Sequence, residues 1–125
     1  MRTRLLPSAL LAATVVLAAC GGGSSSDSTI PADTDVVVTA IEGIKWDAAD
    51  YTATAGEVSF AVKNSSSLPH NLHVLDASNA DLGMKLDIPT RGDIATGSLT
   101  LQAGSYTLIC TIPGHANMKA TLTVN

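Results

Sequence analysis

The segment Tyr106–Met118, YTLICTIPGHANM, holds Cys110, then His115 in the next turn of sequence, then Met118. A thiolate, an imidazole and a thioether are soft and borderline donors of the kind copper selects, whereas calcium and magnesium take oxygens. Copper is the metal this trio points to. Such a set, with the thioether as its weak member, needs a second imidazole, and the chain offers His70 and His73 upstream in SSSLPHNLHVLD. Strand alternation sets His73 on the face opposite Leu72 and Val74, toward solvent, while His70 stands where the strand begins, which favours His70. Met84 competes with Met118 for the thioether role, and Met118 is favoured because it shares a loop with Cys110 and His115. Each donor also has a plainer role open to it: Cys110 as a small buried hydrophobe, Met118 as core. Their occurrence together weighs against it.

Bringing these donors together requires short strands and a tight loop. Tyr106–Ile109 reads as a strand that delivers Cys110 to the end of a sheet, and Pro113-Gly114 is a turn dipeptide that folds the chain back. The rest of the chain from Asp35 has β patterning. Val36-Val37-Val38 is a β-branched run, Thr52–Ala55 a second strand, and Val58, Phe60 and Val62 alternate with polar or small residues. Leu72 and Val74 mark another strand. The stretch from Asp76 to Arg91 reads as irregular, broken by Gly83 and Pro89, with Gly92 just beyond. Ser98–Leu101 and Tyr106–Cys110 flank Ala103-Gly104, which reads as a hairpin turn, and Lys119–Val124 closes the fold with Ala120, Leu122 and Val124 inward. No helical period of ten or more residues follows the N-terminal segment. The expectation is an all-β sandwich of seven or eight short strands, its core mostly aliphatic, with Trp46 and Phe60 as the large pieces.

With these residues in place, the sequence resembles the small blue-copper proteins, the cupredoxins of the plastocyanin, amicyanin and azurin type. The matching residues are Pro69-His70-Asn71 and the run Tyr106, Cys110, Pro113-Gly114-His115, Met118, followed by Thr121–Val124. The His115–Met118 spacing has the short amicyanin-like form, the Cys110–His115 spacing the longer azurin-like one, and Ala120 stands where family members often have glycine. The resemblance implies a Greek-key sandwich over residues 35–125 and one copper ion, cuprous or cupric, on His70, Cys110, His115 and Met118. It implies outer-shell places for Asn71 and Pro69, which flank His70, with the Asn71 side chain tying the two ligand-bearing segments together, as outer-shell groups orient ligands. It also implies a one-electron carrier serving redox protein donors and acceptors, and not an enzyme, because four occupied positions leave none open for substrate. The second reading is copper binding or delivery without electron transfer, which the absence of a Met- or His-rich tract disfavours. A multicopper enzyme would need further centres. No serine sits in a nucleophile-elbow pattern, so a Ser-His-Asp hydrolase has little support.

The N-terminus has a different purpose. Arg2 and Arg4 precede an apolar run, Ala9–Ala19, too short to span a bilayer, and this reads as a secretory signal over residues 1–19. Leu17-Ala18-Ala19-Cys20 resembles the bacterial lipobox, with Cys20 as the lipidated mature N-terminus; the alternative is a plain signal peptide with Cys20 incidental. Residues 20–34, Gly/Ser-rich at first, form a flexible tether. Lipidation of Cys20 would leave Cys110 as the one remaining thiol, which excludes a structural disulfide. The whole chain has 7 basic and 11 acidic residues. Loss of Arg2 and Arg4 makes it more acidic still, which argues against nucleic acid and against an electrostatically held membrane surface. The expectation is a monomer on the extracytoplasmic face of the cell envelope, touching the membrane only through its lipid.

Overall fold

Alternating apolar side chains commit the chain to strands from Val36 onward. This computed structural model describes residues 29–125, and among them are nine strands and no helix. The signal segment, Cys20 and most of the tether lie outside the described residues. The strands are β1 (Val36–Ile41), β2 (Lys45–Trp46), β3 (Asp50–Ala53), β4 (Gly56–Asn64), β5 (His70–Leu75), β6 (Asp81–Ile88), β7 (Ile94–Leu101), β8 (Gly104–Ile109) and β9 (Lys119–Val124). They form two mixed sheets, ordered β2-β1-β4-β7 and β3-β9-β8-β5-β6, with β1/β4 and β3/β9 as the parallel pairs. The all-β sandwich expected from the patterning is what forms.

Topology decides where chemistry can collect. In the second sheet β8 runs antiparallel to both β5 and β9, so the start of β5, the end of β8 and the start of β9 share one pole. His70 opens β5, Cys110 follows β8, and Met118 precedes β9. In the first sheet, β4 ends at Asn64, which pairs with Ala40, and Ala40 in turn faces Trp46. The loop 65–69 then crosses from one sheet to the other and delivers His70 at that pole.

Two expectations are corrected here. Residues 76–91 are not irregular: β6 occupies Asp81–Ile88, with Met84, Leu86 and Ile88 buried and Lys85 and Asp87 exposed between them. Gly83 does not break this strand but sits inside it at φ 86, with its N–H bonded to Asp81 Oδ1 at 2.8 Å. Nor is Ala103-Gly104 a hairpin turn. β7 pairs with β4 and β8 with β5 and β9, so the short link crosses between sheets. The strand count rises to nine through β6 and the two-residue β2.

The core lies between the sheets. Trp46, Phe60, Leu72, Ile88, Leu108 and Leu122 fill it, and Ala120, Leu122 and Val124 point inward as the alternation of β9 requires. The two edge strands β6 and β7 close the sandwich on one side, and Gly97 permits this. A Cβ there would stand 2.9 Å from Met84 Sδ and 3.1 Å from Leu86 Cδ2. Gly97→Val is therefore expected to destabilise the fold by about 1–3 kcal/mol through overpacking. A urea midpoint unchanged from wild type would show that Met84 simply swings aside.

Candidate metal centre

The loop from Cys110 to Met118 folds through two consecutive turns. His115 N–H donates to Ile112 O at 3.0 Å, and Pro113 and Gly114 fill the two central positions, with Gly114 at φ 89. This is the sequence requirement of a type II turn: proline presets the first φ, and only glycine takes the positive second one without strain. Met118 N–H then donates to His115 O at 2.9 Å, and Cys110 N–H to Met118 O at 3.2 Å, closing the loop onto itself. His115 is thereby returned to Cys110, and its Nδ1 lies 3.5 Å from Cys110 Sγ.

His70 meets them from β5. One ligand atom each of His70, Cys110 and His115 lies within 4.8 Å of the others, all three residues are buried, and the two imidazoles sit tilted at 44° with centroids 4.9 Å apart. His70 Nε2 is 2.7 Å from Ser66 Oγ, whereas its Nδ1 is buried with no hydrogen-bond partner. A buried nitrogen without a partner is costly unless something accepts its lone pair. Together with a thiolate and a second imidazole this is a site that fits one copper ion, held by His70, Cys110 and His115.

The family description "copper binding proteins, plastocyanin/azurin family" matches residues 33–125. This chain is a cupredoxin. No curated protein matches it by sequence. Among solved structures, the cupredoxin is similar to auracyanin from Roseiflexus castenholzii at 20% identity and TM-score 0.63, covering 72% of this chain and 95% of that one. Auracyanin A, a "blue" copper protein of Chloroflexus aurantiacus, gives 22% identity and TM-score 0.62, with 71% and 96% covered. Amicyanin from Paracoccus versutus gives 28% identity and TM-score 0.58, with 78% and 87% covered. Cupredoxins are typically electron carriers rather than enzymes, and they interact with redox partners.

In this cupredoxin Asn71 bonds across to Thr111. Continuing the β5/β8 register sets it opposite Thr111, and there side-chain bonds replace the backbone ladder. Thr111 N–H donates to Asn71 Oδ1 at 2.8 Å, and Asn71 Nδ2 to Thr111 Oγ1 at 2.9 Å. The segments carrying His70 and Cys110 are tied one residue past each donor. His73 stays out of the cluster. Its Nδ1 pairs with Asp81 Oδ2 at 2.6 Å and its Nε2 lies 3.4 Å from Thr111 Oγ1. Asp81 is held below the usual carboxylate range, first by the Gly83 N–H and then by His73. Met84 is also removed as a thioether donor. It sits across from Gly97, four positions along β6 from the Ile88 that faces His70, or about 13 Å. Met118 is fully buried at the right pole.

Sequence reasoning missed Asn64 and Ser66. Asn64 continues the inward phase of Val58, Phe60 and Val62, and a polar residue on that phase was the available signal. Ser66, inside a serine run, gave none.

Burial, then the neighbouring His115, pushes the His70 imidazole below its ordinary value, with Glu42 partly opposing. His70 is thus neutral and able to ligate at neutral pH. In the metal-free protein the unfolded chain takes up a proton near pH 6.5 before the folded one does, so stability falls as pH drops below that value. We expect a lower urea midpoint at pH 5.5 than at 7.5, and a flatter dependence in His70→Gln. Equal slopes for the two proteins would remove His70 as the cause.

Proposed function

We propose that the protein is a type 1 copper protein that carries single electrons between extracytoplasmic redox partners, with Met118 as the weak axial donor. The observation that carries this reading is the burial gradient across the donors. His70 is 1% exposed, Cys110 5% and Met118 0%, while His115 retains 7% and is flanked by exposed Gly114 and Ala116. His115 is therefore the most exposed of the four residues. The segments framing this pole, Leu68–Pro69 and 112–117, carry no Asp, Glu, Lys or Arg, and Leu68 is one of the exposed large hydrophobics. Such a surface admits an apolar partner face without desolvating charges.

Copper held by these residues supplies reversible one-electron chemistry. The chain supplies the frame. The Asn71–Thr111 bonds, the paired turns of the ligand loop and the Ser66 contact each fix a donor through the protein itself. Donors held in this way shift little between oxidation states, which favours fast transfer. Four protein donors around one ion leave no open position for substrate, which favours a carrier over an enzyme. The signal segment and Cys20 support a lipid-anchored protein on the outer face of a membrane. Release of a Cys20→Ser variant into the soluble fraction is the expected outcome, and unchanged membrane association would sink the anchor.

The test of the function is a visible spectrum of residues 24–125 after cupric loading and again after ascorbate. An intense orange-red band that bleaches on reduction supports the carrier. A pale product with no thiolate charge-transfer band would leave copper binding without electron transfer.

A further inference from the structure

The run Ser65-Ser66-Ser67 has the composition of a solvated loop, yet its middle residue is 1% exposed and its preceding neighbour Asn64 is 0% exposed. The outer residues face the other way. Arg91 Nη1 donates to Ser65 O at 2.9 Å, Glu42 accepts from Ser67 N at 3.0 Å and from Ser67 Oγ at 3.2 Å, and Arg91 and Glu42 pair with each other. This outer clamp turns the Ser66 hydroxyl inward onto His70 Nε2 at 2.7 Å.

We propose that Ser66 is a positioning residue that selects the metal-binding tautomer of His70. Its oxygen accepts the Nε2–H and leaves Nδ1 bare at the cluster. The proton accounting supports that direction. The hydroxyl has one proton and two neighbours that can only accept, Asn64 Oδ1 at 3.0 Å and Leu68 O at 3.2 Å. Asn64 is itself oriented, because its Nδ2 donates to Leu68 O at 2.7 Å and Ile88 O at 2.9 Å, so its Oδ1 must face Ser66. Leu68 O already takes one of those protons, so Asn64 Oδ1 is the better destination for the Ser66 hydroxyl proton. With that proton committed, Ser66 Oγ can only accept from the ring. The opposite arrangement would put a proton on Nδ1, which is buried with no partner. A chain of three side chains, Asn64 to Ser66 to His70, thus sets which nitrogen faces the metal before any metal arrives.

This inference rests on the reading that His70 ligates through Nδ1, and its test separates the two. Ring 15N shifts of His70 in the metal-free protein report the tautomer directly. Wild type is expected to show the proton on Nε2 alone, and Ser66→Ala a mixture of both tautomers. Cupric affinity of Ser66→Ala, measured by competition titration, is expected to fall roughly 10–100-fold, the usual effect of losing such a partner. Ser66→Thr, which keeps the hydroxyl, is expected to restore the single tautomer. A wild-type proton on Nδ1, or a Ser66→Ala spectrum identical to wild type, overturns the proposal. The wild-type measurement needs no variant, so a misfolded Ser66→Ala does not shelter it. A copper-loaded wild type without the intense band would count against the carrier alone, since the tautomer is read without copper.

Discussion

Copper-loaded Cys110→Ser is expected to lack the intense visible band altogether and to bind cupric ion more than roughly 100-fold more weakly than wild type, because losing even an outer partner of a ligand costs 10–100-fold. The substitution is nearly isosteric at a position only 5% exposed, so the sandwich should survive it. What changes is the donor. A serine hydroxyl stays protonated where a thiol gives a thiolate, and a hard oxygen replaces the soft sulfur that favours copper. The comparison needs the visible spectrum, a competition titration and far-ultraviolet circular dichroism of both proteins. Persistence of the band, or an unchanged affinity, would place the ion somewhere other than the His70, Cys110, His115 cluster.

Asn64→Ala is expected to destabilise the fold by about 3–5 kcal/mol. The residue is fully buried and its side chain makes bonds in four directions: to Leu68 O, to Ile88 O, and from Ser66 N–H and Oγ. Truncation takes the side-chain partner from Ile88 O and from the Ser66 amide in the interior, and leaves Leu68 O with the Ser66 hydroxyl alone. In a domain of this size the melting temperature should drop by on the order of 15–25 °C. The same variant should loosen the loop 65–69 that leads into His70, so copper affinity falls with stability. A melting temperature within a few degrees of wild type would mean that water replaces the amide without loss.

The cluster of His70, Cys110 and His115 was legible because its chemistry is rare. Cysteine, histidine and methionine packed into one loop around Pro113-Gly114 make a combination that metal binding requires and core packing does not, and the turn that returns His115 to Cys110 is the one that dipeptide dictates. His70 over His73 followed from alternation, and the structure agrees: His73 is engaged with Asp81 instead. Alternation was also present in residues 81–88, but the glycine at 83 and the proline at 89 masked it. A glycine can sit inside an edge strand when its N–H finds a side chain, as Gly83 does with Asp81. The supposed hairpin at Ala103-Gly104 failed for a different reason. Local turn chemistry describes the change of direction, whereas membership of a sheet depends on partners far away in sequence. Asn64 and Ser66 show the same limit, since their roles arise only when β4, the loop 65–69 and the β5/β6 pair meet at one pole.

The described chain begins beside the other pole. Pro31–Thr34 forms a turn, Asp35 is pinned by Ser59 at 2.8 Å, and Val36 pairs with Phe60, whereas the metal pole lies by Ala40 and Asn64. Four residues of β1 separate them, about 13 Å along the strand. Any tether attached ahead of residue 29 therefore pulls from the side opposite His115. A surface that holds the protein ahead of residue 29, whether a membrane or an electrode, leaves the His115 face turned outward, toward whatever approaches from solution.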